Sequence, residues 1–137
     1  MSRVLSVGDT FERSIEPNEI DLFLYSSAIA AVHRIHYDRQ FALSEAQEDL
    51  VVQGPLQAAL IMKLIQQEVI RGTGWLASIR YRNLRPAFVN RRLEYGVRVT
   101  SLDYNTEPSI VVCDIWTRSP DANGTCLSGS ATVSGNN

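Results

Sequence analysis

The sequence predicts an α+β domain in which one antiparallel sheet wraps around a long central helix. Three observations carry that expectation. The segment from Leu56 to Ile70 is apolar nearly all the way round, so a helix there must be surrounded by other structure. The chain after Gly74 alternates apolar and polar residues with period two in successive runs. Turn-rich segments separate those runs, so each strand is expected to pair with a near neighbour in sequence, antiparallel.

The elements follow in chain order. Thr10-Phe11-Glu12-Arg13-Ser14-Ile15 reads as a short first strand. Pro17-Asn18 then opens a helix through Leu22, Phe23 and Tyr25 toward Ala30 or Ala31. Asn18 can cap it, and Glu19 and Asp21 suit its positive end. His33 to Asp38 is polar and reads as a loop, the place where functional residues tend to sit. A short helix is expected from Arg39 to Ala46. Gly54-Pro55 marks the start of the central helix, with Gly54 as cap and Pro55 at the first helical position. Arg71-Gly72-Thr73-Gly74 ends it, Gly72 being the stop. In the strands, Trp75, Ala77, Ile79 and Tyr81 are expected to share one face, and Leu93, Tyr95, Val97 and Val99 another. Ile110 to Thr117 and Thr125 to Val133 complete the sheet.

Bulk properties narrow the function classes. At 137 residues the chain reads as one domain, 1–137, able to bury a core without metal or disulfide staples. No run of eighteen apolar residues predicts a membrane span, and the first residues do not read as a signal peptide, so a cytoplasmic protein is expected. Cys113 and Cys126 could approach each other on adjacent strands, but buried free thiols in a reducing cytosol are the preferred reading. Net charge is -2, which does not suit a nucleic-acid binder. Between Arg71 and Arg98, however, seven arginines face one acid, Glu94. That bias reads either as a solvated outer sheet face or as a patch for a phosphorylated ligand.

Three motifs resemble a known family. His33-Arg34-Ile35-His36-Tyr37-Asp38-Arg39-Gln40-Phe41-Ala42 resembles the hydratase motif of MaoC-like proteins. Val51-Val52-Gln53-Gly54-Pro55-Leu56-Gln57-Ala58 resembles the Val-Val-His-Gly-Pro-Leu-Gln-Ala helix start of one branch of that family. That branch holds mesaconyl-CoA hydratases and mitochondrial hydroxyacyl-thioester dehydratases. Arg82-Asn83-Leu84-Arg85-Pro86 resembles the same branch's Arg-x-Leu-Arg-Pro strand. The three motifs stand in the family's order.

The resemblance implies a hotdog fold and a hydro-lyase acting on an α,β-unsaturated acyl thioester of coenzyme A or acyl carrier protein. It places the catalytic histidine on His36 as general base. It places the backbone N–H of Gly54 as donor to the thioester oxygen. His33, Gln53 and Arg85 are expected near the substrate. His33 and Arg85 keep structural readings beside the functional ones, Arg85 as a residue holding a strand edge. Asp38 is expected to order the loop or cap the next helix. No metal or redox cofactor is expected, and no nucleic-acid partner. The chain is expected to pair with itself or with another hotdog chain.

The sequence departs from the motif at one important place. The family carries an Asp five residues before the catalytic histidine, and Ala31 stands there. Gln53 replaces the family's His before the Gly-Pro step. A modified hydratase, a partner residue from another chain, and a thioester-binding or accessory subunit without independent turnover all follow as readings. A hotdog thioesterase is disfavoured, because none of Asp38, Glu45, Glu48 or Asp49 is clearly placed for it and Glu68 lies near the far helix end.

Overall fold

The computed structural model describes residues 4–70, 72–122 and 124–135. Arg71 and the Met1–Arg3 start of the N-terminal segment lie outside the described residues. Strand β1, Thr10–Ile15, leads into helix α1, Glu19–Ile29. A single 3-10 turn, Arg34–His36, precedes the short helix α2, Arg39–Ser44. Helix α3 spans Gly54–Glu68. Strands β2 (Trp75–Asn83), β3 (Leu93–Asp103), β4 (Ile110–Ser119) and β5 (Gly124–Ser134) follow.

The local chemistry of each boundary is visible. Asn18 accepts a hydrogen bond from the Asp21 amide, and the Asp21 carboxylate accepts from the Asn18 amide. This reciprocal box satisfies two amide donors at the head of α1. Ala30 ends α1 in the left-handed conformation at φ 55°. Asp38 caps α2 by accepting from the Phe41 amide at 3.1 Å. Helix α3 begins one residue earlier than a Gly54 cap would imply. Gln53 takes the cap position without a side-chain cap bond, and Gly54 is already helical. At the other end α3 stops at Glu68, with Val69 as its last cap.

All four strand pairings are antiparallel, in the order β1-β3-β4-β5-β2. The expectation that every strand pairs with a near neighbour fails for β2. It crosses to the far edge and pairs with β5, because α3 and the Leu84–Arg92 connection carry the chain around the sheet. The face assignment within β2 also changes. A bulge between Leu76 and Ser78 makes Ala77 the extra residue, so Leu76, not Trp75 or Ala77, joins Ile79 and Tyr81 on the core. Trp75 is exposed.

Two apolar clusters form the core. In the larger, Ile61, Leu64, Ile65 and Val69 of the helical segment pack on Val97, Val99, Val111, Ile115, Leu127 and Val133 of the sheet. Burying each such side chain contributes roughly 1.5–3 kcal/mol. The smaller cluster joins Leu22, Ala42, Leu50, Val52, Ala87, Val89, Leu93 and Cys126. It fastens α1 and α2 over the head of α3. The sheet covers one side of α3 only. Met62 and Lys63 remain exposed and Leu60 half-buried, so the all-round burial expected of this helix is not met within the chain.

The arginine-rich stretch does not make one surface. Arg80 and Arg82 lie on the β2 edge, whereas Arg92 and Arg98 lie at or on β3, with β4 and β5 between. Several are engaged individually: Arg91 pairs with Glu48 at 2.6 Å, and Arg98 lies over the Trp116 ring. Cys113 and Cys126 are buried and free.

Candidate active site

The site is built where the loop after α1 meets the head of α3. Two short extended segments support it. Val52 donates its amide to the Ala87 carbonyl at 2.8 Å, and Val89 donates to the Leu50 carbonyl at 3.0 Å. This miniature ladder fixes the approach to Gly54 beside the Asn83–Pro86 segment. The loop is held from its other end by Arg39, which bridges Glu19 of α1 and Asp49. Arg34 ties back to Asp38 at 2.7 Å, and its guanidinium beside Asp38 holds that carboxyl below the usual carboxylate range.

His36 is half-buried, and Val51 holds both its ring and the residue before it. The Val51 amide donates to the Ile35 carbonyl at 2.9 Å, and the His36 Nδ1–H donates to the Val51 carbonyl at 2.7 Å. A carbonyl oxygen can only accept, so Nδ1 carries the proton and Nε2 keeps its lone pair. Burial pushes the His36 pKa below the ordinary histidine value. The Val51 bond opposes that shift, and nearby His33 adds slightly to it. At neutral pH the ring is therefore uncharged and can accept a proton.

A cavity of about 290 Å³ opens at this point. His36, Val51, Val52, Gly54, Gln57, Asn83, Leu84, Arg85 and Pro86 line it. The Gly54 amide has no acceptor among the described residues, as expected for the first turn of a helix. Gly54 leaves room for Asn83. A Cβ there would lie 2.6 Å from the Asn83 Nδ2 and 2.7 Å from its Oδ1. Gly124 does the same for Arg85, whose Nη1 would stand 1.8 Å from a Cβ at that position. Arg85 also lines a neighbouring cavity of about 400 Å³ with Glu48, Arg91 and Asp121.

Three expected site residues, His36, Gly54 and Arg85, thus meet around one cavity. The other two sit elsewhere. His33 is exposed. Its Nδ1 accepts from the Ile35 amide at 3.2 Å, and its ring centroid lies 6.1 Å from that of His36. Gln53 is 1% exposed. Its Nε2 donates to the Leu22 carbonyl at 2.7 Å and to Ser26 Oγ at 2.8 Å, so it braces α1 against the head of α3. Its Oε1 is buried without a partner among the described residues. Ala31, which follows the α1 cap, is not among the cavity-lining residues.

Sequence reasoning passed over two polar lining residues. Gln57 is 3% exposed, and Asn83 is exposed on the last position of β2. A polar residue inside the apolar run Leu56-Gln57-Ala58 was the available signal for the first. Among the described residues, no group of three His, Cys, Asp or Glu side chains is placed to hold a metal ion.

With this geometry in place, comparison with known proteins identifies the family. The sequence profile of hydroxyacyl-thioester dehydratase type 2 matches residues 3–89. The chain belongs to this family. It is 36% identical over 83 residues to mesaconyl-C(4)-CoA hydratase of Chloroflexus aurantiacus, covering 60% of this chain and 29% of that protein. The chain thus spans less than a third of that relative's length. Among solved structures, the (R)-hydratase from A. caviae involved in PHA biosynthesis superposes with a TM-score of 0.86 at 22% identity, covering 94% of this chain and 96% of that one. A chain of the ChsH1-ChsH2 complex from Mycobacterium tuberculosis gives 0.82 at 16% identity, covering 96% and 98%. These likenesses establish the hotdog fold: a five-stranded antiparallel sheet with a helix on its face.

Proposed function

We propose that this dehydratase-family chain adds water to, or removes it from, an α,β-unsaturated acyl thioester carried on coenzyme A or acyl carrier protein. The observation that carries the reading is the His36–Val51 bond beside the unpaired head of α3. It leaves one neutral basic nitrogen on a residue that shares a cavity with a free backbone donor.

In hydration, His36 Nε2 removes a proton from water as the oxygen bonds to Cβ of the substrate. The Cα–Cβ π electrons move toward the thioester carbonyl, and negative charge develops on its oxygen. The Gly54 N–H and the positive end of α3 stabilise that oxygen. The imidazolium then returns the proton to Cα, so water has been added and the enzyme is unchanged. Dehydration is the same path reversed. The sequence of steps requires no metal or redox group. Arg85 stands at the junction of two cavities, where a thioester carrier's phosphate would meet a cation.

A second hotdog chain, identical or different, is part of this reading. Among the described residues, no strand lies beside the outer edge of β2, and one side of α3 lacks cover. The buried free thiols suit a reducing compartment, and we place the protein in the cytoplasm. The alternative is an accessory thioester-binding subunit, which Ala31 favours because it offers no carboxylate to assist His36.

The test is loss of the conjugated double bond in short, branched and medium-chain enoyl-CoA thioesters, with His36→Ala beside the unaltered protein. Hydration that disappears in the variant supports the enzyme. Binding without turnover in the unaltered protein rejects the stand-alone hydratase in favour of the accessory role.

A further inference from the structure

We propose that Gln57 is a second donor to the thioester oxygen, aimed by Thr117; this rests on the thioester reading above. Gln57 lies on α3 one turn after Gly54. Helical side chains lean toward the N-terminus, and residues three apart share a face, so the Gln57 side chain lies over the turn that Gly54 opens.

Its carboxamide is not free to rotate. Gln57 Oε1 accepts from Thr117 Oγ1 at 2.6 Å, and Thr117 is completely buried. Gln57 itself is 3% exposed and lines the His36 cavity. With the oxygen taken, the Nε2 end has no acceptor among the described residues. Among the described residues only Gln53 Oε1 is buried without a partner, so the Gln57 Nε2 donor stays accessible from the cavity that the residue lines. The arrangement is accounted for if an oxygen arrives with the substrate and accepts from Nε2.

The oxygen best suited is the thioester carbonyl. It has two lone pairs, and the Gly54 amide uses one. A neutral N–H stabilises developing negative charge more than the uncharged carbonyl, which favours the transition state over bound substrate. Neither other polar group fits as well. The Asn83 amide is packed against Gly54, and Arg85 lies against Gly124 toward the neighbouring cavity.

The experiment uses the full chain with crotonyl-CoA and compares Gln57→Leu, Gln57→Glu, Thr117→Val and Thr117→Ser. Gln57→Leu and Gln57→Glu should each lower kcat/KM by about 10²–10³-fold. Glu keeps the acceptor for Thr117 but loses the donor, so it must fail as badly as Leu. The acid limb of the pH profile, which belongs to His36, should stay in place in Gln57→Leu, whereas the new carboxylate of Gln57→Glu should draw it upward. Thr117→Val should cost about tenfold, and Thr117→Ser should restore most of it. A second reading needs no turnover: the carbonyl stretch of bound butyryl-CoA should lie at lower frequency in the unaltered protein than in Gln57→Leu. Should Gln57→Leu fail to fold, the near-isosteric Thr117→Val supplies both measurements. A Gln57→Leu or Thr117→Val protein with unaltered rate and carbonyl frequency overturns the proposal and leaves the hydratase intact. An unaltered protein that neither binds nor turns over any thioester overturns both.

Discussion

His36 and Val51 hold each other through a paired contact: the ring donates Nδ1–H to the Val51 carbonyl at 2.7 Å, while the Val51 amide binds the carbonyl of the residue before His36. Fifteen residues separate the two in sequence. The contact sets the tautomer, and burial of the ring sets its affinity for protons.

A pH dependence follows with a definite sign. Because burial lowers the His36 pKa in the folded protein, the neutral, basic form prevails above about 6.5. Hydration rate should be flat above that value and fall along one limb whose midpoint lies below it. Folding stability follows the same direction. The unfolded chain binds this proton more readily, so the His36 contribution is present above about 6.5 and is lost as pH falls toward the depressed value. A kcat/KM profile with its acid midpoint above 6.5 contradicts this placement of the ring.

Gly54→Ala separates site geometry from stability. Alanine is a better helix former than glycine by about 1 kcal/mol, so folding free energy should change little. Its methyl group must nevertheless displace the Asn83 amide, which stands 2.6 Å away. Activity should drop about 10–10²-fold, the usual cost of small misplacements in an active site. Adding Asn83→Ala should remove the clash, and a double variant no better than Gly54→Ala would show that Asn83 is not the obstacle.

Gln53→Leu tests the brace between α1 and the head of α3. It removes two buried hydrogen bonds, to the Leu22 carbonyl and Ser26 Oγ, but also removes the unpaired Oε1. The losses outnumber the relief, and destabilisation of about 1–2 kcal/mol is expected in urea titration. A more stable variant would show that the orphaned oxygen outweighs both bonds.

The two thiols should be silent in the native protein. Burial pushes the Cys113 thiol up to about 11 and raises that of Cys126 as well, so neither forms appreciable thiolate at pH 8. A colorimetric thiol reagent should titrate neither in buffer and both in denaturant. Rapid native labelling of either would place it outside the core described.

Much of the fold was legible in local chemistry. Asn18 with Asp21 and Asp38 before α2 are short-range signals, readable because each satisfies amides within its own turn, and Pro55 at the α3 start is readable because it has no amide to satisfy. The Leu93, Tyr95, Val97 and Val99 face was readable because period two leaves no other side for them. His36, Gly54 and Arg85 were reachable through motifs whose spacing the chain retains. What escaped depended on contacts between distant segments. The bulge at Ala77, the crossing of β2 to the β5 edge, the bracing role of Gln53 and the Thr117–Gln57 bond are each decided by which segments pack together. Period and capping act within a few residues and are written in the order of the chain. A buried polar group, by contrast, takes its meaning from the partner that burial brings to it, and that partner exists only once the sheet has closed over the helix.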